Sequence, residues 1–438
     1  FFTQNEGLPY HKIYEFMGEK GMDKFEIRGG VSLDGELEIS SAKNSVLALL
    51  AAAILTDEPV VIHNCPEIGD VYNMLKILEA LGCKILRQGR AVVIDSSAAD
   101  SYEIPRNYGR EIRSSIFMLG SILGRFRKAK AVFPGGCDIG LRPIDLHLKG
   151  LRELNVKVRE QGADILCDAS AARGKKIHLD FPSVGATENI MLAAATIKGR
   201  TVICNAAKEP EIVCLQDMLN KMGGKVAGAG GDTIEIEGVK KLRGAEITPI
   251  PDRIVAGTYV IAAAMTGGRV CLRKCRPSDL TALISKLNGC ACDILTAEDS
   301  LLVKGYKRPR SVLMVETAPY PGFPTDLQAQ VLALQTVSKG TGVIVENIFE
   351  TRFKHVGELK KMGAEIVVKD RYAIVRGVPK LYGTQVTAHD LRGGAALVLA
   401  GLAAEGVTTV EDVRHIDRGY FRMEDDLRAL GARVKRLS

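Results

Sequence analysis

Leu427-Arg428-Ala429-Leu430-Gly431 is one copy of a phrase that recurs along the chain, and its recurrence decides the fold. It occurs first as Leu78-Glu79-Ala80-Leu81-Gly82, then as Leu151-Arg152-Glu153-Leu154-Asn155 and Met218-Leu219-Asn220-Lys221-Met222-Gly223. Leu287-Asn288-Gly289-Cys290-Ala291 and Leu359-Lys360-Lys361-Met362-Gly363 complete a set of six. The closing residues 82, 155, 223, 291, 363 and 431 stand 68 to 73 residues apart, so the chain reads as six copies of one unit. Gly or Asn closing a helical pattern fits a left-handed C-cap; the fourth copy, ending in Ala291, departs from it.

Each unit reads alike. An alanine-rich helical run (residues 47–54, 192–197, 260–265 and 395–404) precedes a β-branched strand (60–62, 202–203, 343–345 and 408–410). A second, amphipathic helix ends at the phrase, and one or two short strands close the unit, as in Thr233-Ile234-Glu235-Ile236-Glu237. The first helix is apolar nearly all round and rich in small residues, so it should be buried on every side. The second carries charge on one face and belongs at the surface. Six α/β units can close as one ring or as two lobes of three. Two lobes facing a cleft are expected here, with Pro249-Ile250-Pro251-Asp252-Arg253 as the crossover. The expected boundaries are a flexible extension at 1–21, an N-terminal lobe at 43–250, and a C-terminal lobe of 22–42 plus 251–438. The strand patterns at 24–28 and 37–39 precede the first unit and could pair with the far lobe.

Composition narrows the function. The chain has 438 residues, 46% apolar and 25% charged, which is ordinary for a globular protein. Its longest apolar runs, 46–55 and 395–404, are about half of the roughly 20 residues a membrane span requires. Residues 1–21 lack an apolar signal core. Ten cysteines include no CxxC pair, and the close pairs Cys271/Cys275 and Cys290/Cys292 have no histidine beside them. Reduced cytoplasmic thiols fit better than disulfides or zinc sites. A net charge of +7 with no tryptophan and 5% aromatics suits small anionic ligands at least as well as nucleic acid.

The units differ most at the N-termini of the buried helices. These carry Ser41-Ala42-Lys43-Asn44, Arg113-Ser114-Ser115, Thr187-Glu188-Asn189, Asp252-Arg253, Pro324-Thr325-Asp326 and Asp390-Leu391-Arg392. Ordinary capping accounts for Thr187 and Asp390. It does not account for Lys43, Arg113 and Arg392, which oppose the helix dipole and imply an anion between them. The turn after each unit's first strand is the second variable place. In the second unit it is Pro134-Gly135-Gly136-Cys137-Asp138-Ile139-Gly140-Leu141-Arg142-Pro143. A cysteine in a glycine-rich turn near Arg142 has the setting of a reactive thiolate, and an incidental cysteine in a turn is the other reading. In the fifth and sixth units the turns are Asn347-Ile348-Phe349-Glu350-Thr351-Arg352 and Arg414-His415-Ile416-Asp417-Arg418-Gly419-Tyr420. Arg352 and Arg414 read as solvated charges, and Arg418 before Gly419 as the better ligand candidate.

With these residues in hand, the chain from about residue 22 to 438 resembles the UDP-N-acetylglucosamine enolpyruvyl transferase family, the 1-carboxyvinyltransferases of peptidoglycan synthesis. The carriers are Ser41 to Asn44, Pro134 to His147, Ser183-Val184-Gly185-Ala186-Thr187, Glu209-Pro210-Glu211-Ile212-Val213, Phe323-Pro324-Thr325-Asp326-Leu327-Gln328-Ala329-Gln330 and His415 to Tyr420. The resemblance implies an inside-out α/β barrel of two lobes, each of three βαβαββ units. It implies transfer of the enolpyruvyl group of phosphoenolpyruvate to a sugar 3′-hydroxyl through a tetrahedral ketal, with no metal or organic cofactor and no nucleic-acid or membrane partner. Asp326 would take the hydroxyl proton. Cys137 would act as general acid or rest as a covalent adduct. Lys43, Arg142 and Arg418 would hold the phosphate, with Arg113 and Arg392 completing the cationic surround. Asn44 is expected at the sugar, and Pro143, Asp145, Leu146 and His147 at the uridine. Ser183, Val184 and Gly185 would meet the diphosphate, and Ile348 and Asp390 would also contact substrate. Phe181-Pro182 stands where some members carry a lysine, a departure at the diphosphate. His178 and His415 read as structural. Three rivals are weaker: 5-enolpyruvylshikimate-3-phosphate synthase, which lacks such a cysteine loop; a non-catalytic paralogue; and a basic nucleic-acid clamp, whose cations would lie on exposed faces.

Overall fold

The repeated phrase marks the same backbone event in five of its six copies. Gly82, Asn155, Gly223, Gly363 and Gly431 all turn left-handed, with φ of 96, 64, 89, 93 and 88°. There glycine is strain-free and asparagine tolerated, so the helix stops and the chain turns back into a strand. In the fourth copy the helix Thr281–Leu287 ends earlier and Gly289, at φ 78°, takes the left-handed position in place of the phrase's last residue.

The computed structural model describes residues 23–111, 113–133 and 144–437. These fall into two units. One holds residues 43–133 and 144–250; the other holds residues 23–42 and 251–437.

In the first unit the buried helices Lys43–Ala53, Phe117–Phe126 and Val184–Ala194 pack on one another. In the second unit Arg253–Thr266, Gln328–Val337 and Leu391–Ala403 do the same. Alanines and glycines on these helices let the axes approach closely, and each buried leucine adds about 1.5–3 kcal/mol of transfer free energy. The sheets cover the helices. Their outer strands alternate: Thr233–Glu237 buries Ile234 and Ile236 and exposes the residues between.

Sheet order shows how one unit is wired. Lys176–His178 runs parallel to Arg200–Cys204 across the buried helix. Arg200–Cys204 then pairs antiparallel with Thr233–Glu237, which pairs with Lys225–Ala227. This is βαβαββ, with the parallel crossover wrapped around a helix that must be apolar on all faces. Three sheets are completed by strands from elsewhere in the chain. Glu246–Ile247 lies parallel to Val60–Ile62. Asp34–Glu38 lies parallel to Arg269–Arg273. Lys24–Arg28 inserts between Val407–Glu411 and Arg433–Leu437. The segment before the first buried helix thus belongs to two sheets of the second unit.

Candidate active site

The site residues of the second unit gather on Asp326. Pro324 is extended and caps the single 3-10 turn Thr325–Leu327, which runs into the buried helix Gln328–Val337. A carboxylate in that first turn meets the positive end of the helix. Two guanidinium groups then take one oxygen each: Arg352 donates to Asp326 Oδ1 at 2.7 Å and Arg392 to Asp326 Oδ2 at 3.1 Å. Both arginine side chains are 4% exposed and the aspartate is 26% exposed, so the pair of cations is buried while the acid keeps a face open.

Each arginine is delivered by a local device. Glu346, fully buried after the strand Thr341–Val345, accepts from the hydroxyls of Thr317 (2.9 Å) and Thr325 (2.8 Å) and from the amides of Ile348 (2.8 Å) and Phe349 (3.1 Å). Those bonds fold the 346–352 turn back on the helix start, where Arg352 also donates to Thr325 Oγ1 at 2.9 Å. Arg392 stands in the first turn of Leu391–Ala403, capped by Asp390, which accepts from the amides of Arg392 and Gly393, both at 2.9 Å. The ring of Tyr420 lies 5.5 Å from the Arg392 guanidinium. Burial works against the charge on Arg392, but Asp326, Tyr420 and Asp252 outweigh it and push its pKa up. It stays a cation, held by an acid instead of by water.

Two histidines border this cluster. His355 is fully enclosed. Burial, opposed by Asp390 and assisted by Arg352, lowers its pKa to about 4, so the ring is neutral at pH 7. Burial also lowers His415; Asp412 and Asp390 oppose the shift, while Arg414 and Arg418 add to it.

In the first unit, Lys43 opens its helix as expected, and its anion is a side chain: Nζ donates to Asp70 Oδ2 at 2.8 Å, with Asp70 3% exposed at the start of Gly69–Ala80. Asn44 is half-buried beside it. The helix Asp145–Glu153 exposes Asp145, half-buries Leu146 and buries His147. Asn189 fixes the tautomer of that histidine. Its Oδ1 accepts from the amide of Gly120 at 2.6 Å, so its Nδ2 donates to His147 Nδ1 at 3.1 Å, and the ring proton sits on Nε2. The ring packs against Gly185, where a Cβ would lie 2.9 Å from His147 Cε1 and 3.1 Å from Phe117 Cε1. Ser183 is the N-cap, accepting from the amide of Ala186 at 3.3 Å, and Val184 and Gly185 form the first turn. Thr187 is therefore not a cap, contrary to the reading from sequence; it lies inside the helix and accepts from the amide of Ala207 at 3.1 Å. Phe181 is exposed.

Cys137, Arg142 and Pro143 lie outside the described residues, as does the side chain of Arg113. Arg352 was misread from sequence as a solvated charge. Glu346, Thr325 and Asn189 were not singled out for such roles at all. The available signal was Glu346 directly after a β-branched strand, an acid where an apolar residue would be expected. Among the described residues, no group of three or more His, Cys, Asp or Glu could hold a metal ion. No described helix is long and apolar enough to cross a membrane.

Comparison with known proteins shows the family. The family model described as EPSP synthase (3-phosphoshikimate 1-carboxyvinyltransferase) matches residues 27–427. A protein of Caldanaerobacter subterraneus subsp. tengcongensis named UDP-N-acetylglucosamine 1-carboxyvinyltransferase 2 is 53% identical, over 95% of this chain and 100% of its own length. The chain belongs to the UDP-N-acetylglucosamine 1-carboxyvinyltransferase family. Another of these carboxyvinyltransferases, from Yersinia pestis, is 47% identical over 95% of this chain and 99% of its own length. Among solved structures, the enolpyruvyl transferase NikO from Streptomyces tendae superposes with a TM-score of 0.84 at 26% identity, covering 95% of this chain and 99% of that one. EPSP synthase from Acinetobacter baumannii, at 18% identity and a TM-score of 0.72 over 95% of this chain and 100% of its own, shares the fold alone. The inside-out α/β barrel that the resemblance implies is the fold of this carboxyvinyltransferase family, shared with these solved enolpyruvyl transferases.

Proposed function

We propose that the protein transfers the enolpyruvyl group of phosphoenolpyruvate to the 3′-hydroxyl of UDP-N-acetylglucosamine, releasing phosphate, as the committing step of peptidoglycan synthesis. The observation that carries the reading is Asp326, aimed by two buried arginines and left partly open at a helix start. A fixed carboxylate of this kind is a general base for a sugar hydroxyl. As the hydroxyl oxygen bonds to the donor's second carbon, its proton passes to Asp326, and a proton added to the methylene carbon completes the tetrahedral ketal. Loss of phosphate and of one methyl proton then regenerates the enol ether. Cys137 is the proposed acid at the methylene carbon or the resting adduct site. Lys43, Arg142 and Arg418 hold the phosphate, and Arg113 and Arg392 complete the positive surround. Asn44 meets the sugar, and Ile348 also contacts substrate. Pro143, Asp145, Leu146 and His147 meet the uridine, His147 offering a fixed Nε2–H. Val184 and Gly185 offer helix-start amides to the diphosphate beside the cap residue Ser183, whose own amide donates to the Phe181 carbonyl at 2.7 Å, and Asp390 holds Arg392 in place. The proposed N-terminal lobe is 43–250, and the C-terminal lobe is 22–42 with 251–438. We place the activity in the cytoplasm. Phosphate release from phosphoenolpyruvate tests the reading: it should require UDP-N-acetylglucosamine and not occur with shikimate 3-phosphate. The reverse preference would overturn it.

A further inference from the structure

One ion cluster of the second unit has no part in the chemistry above. Arg436, in the last strand Arg433–Leu437, grips Asp417 with both terminal nitrogens, Nη2 to Oδ1 at 2.6 Å and Nη1 to Oδ2 at 3.0 Å. Its Nη1 also donates to Asp23 at 3.0 Å and its Nε to Glu424 at 2.7 Å, while the guanidinium carbon lies 4.9 Å from the ring centre of Phe25. The three acids come from three separate pieces: the residue before the first strand, the short helix Arg414–Asp417, and the helix Met423–Ala429. We infer that Arg436 is a positioning residue for the 414–420 turn, fixing Arg418 for catalysis without touching substrate.

Asp417 and Arg418 are consecutive in a helical turn, where successive side chains leave the axis about 100° apart. A bidentate grip on Asp417 therefore sets the roll of the turn, and with it the direction of Arg418. Two residues further on, Tyr420 lies beneath Arg392 at 5.5 Å and shares its hydroxyl with Thr258 at 2.9 Å. The same turn thus reaches the cation that holds Asp326. Burial raises the Asp417 carboxyl above its usual range, and the hydrogen bonds and charge of Arg436 work against that. Without Arg436, three neighbouring carboxylates would repel one another, and the turn would open rather than settle.

The inference rests on the functional reading in which Arg418 holds the donor phosphate, so wild-type turnover of both substrates is the control for that reading. Steady-state kinetics and thermal unfolding of Arg436→Met and Arg436→Lys test the inference itself. Arg436→Met should raise KM for phosphoenolpyruvate by about tenfold or more while KM for UDP-N-acetylglucosamine moves by less than about twofold. Arg436→Lys keeps the charge without the fork and should fall between, so it serves if the methionine variant does not fold. In an Arg418→Ala background, the Arg436 substitution should add less than about twofold, because both changes act through one group. Full multiplicative loss on that background, or an equal rise in both KM values tracking a lower Tm, would overturn the inference.

Discussion

Lowering the pH from 7 to 5 should destabilise the second unit by about 2 kcal/mol more in the wild type than in a His355→Gln variant. The imidazole is 2% exposed and lies in the cluster behind Asp326. Burial, partly offset by Asp390 and reinforced by Arg352, holds its pKa at about 4. In the unfolded chain the ring titrates near 6.5. A histidine depressed in this way binds its proton first in the unfolded state. Its contribution is therefore complete above about pH 6.5 and is lost as the pH falls towards 4. At pH 5 the unfolded ring is almost wholly charged and the folded ring mostly neutral. The difference, about 1.5 pK units at roughly 1.4 kcal/mol each, gives about 2 kcal/mol. Glutamine cannot titrate, so every other group's pH dependence is shared between the two proteins and cancels. With no tryptophan in the chain, urea unfolding is best followed by far-UV circular dichroism. The wild-type midpoint should fall further between pH 7 and 5 than the variant's. Parallel shifts would refute the argument, since the charged ring would then have found a partner inside the fold.

Substitutions at two further positions probe the two units separately. Arg352→Met removes one of the two guanidinium groups on Asp326 and should cost about 1.5–3 kcal/mol of stability, the value of a hydrogen bond to a charged group. Arg352→Lys should not restore turnover, because a single ammonium cannot replace the fork shared by Thr325 and Asp326. Thermal unfolding and kcat check both, and wild-type values for either variant would contradict the assigned role. Gly185→Ala puts a methyl 2.9 Å from His147 Cε1 and 3.1 Å from Phe117 Cε1. Such overpacking costs about 1–3 kcal/mol of stability and is relieved by displacing the ring; if that ring faces the uridine, its displacement should lower calorimetric affinity for UDP-N-acetylglucosamine by about tenfold. Unchanged affinity would separate His147 from the nucleotide.

Sequence legibility followed the range of the interaction. The helix-start residues Lys43, Asp326, Asp390 and Arg392 could be picked out because capping and dipole effects act within one turn of helix. Their partners could not. Lys43 looked like a cation awaiting a ligand, yet Asp70 meets it in the structure. Arg352 looked solvated because its surroundings, Glu350 and Thr351, are those of a surface loop. Its burial is set by Thr325 and Asp326, which precede it by 27 and 26 residues.

What the amino-acid order alone determined is the repeat, the buried alanine-rich helices and the left-handed stops at Gly82, Asn155, Gly223, Gly363 and Gly431. These depend on φ preferences and on neighbours three or four residues away, which any window of the chain contains. Only the tertiary structure decided that Lys24–Arg28 completes a sheet with strands near the C-terminus, and that two arginines 40 positions apart close on one aspartate. Strand pairing and buried ion pairs depend on which distant segments share a space. That is fixed by packing all the units together, not by the spelling of any one of them.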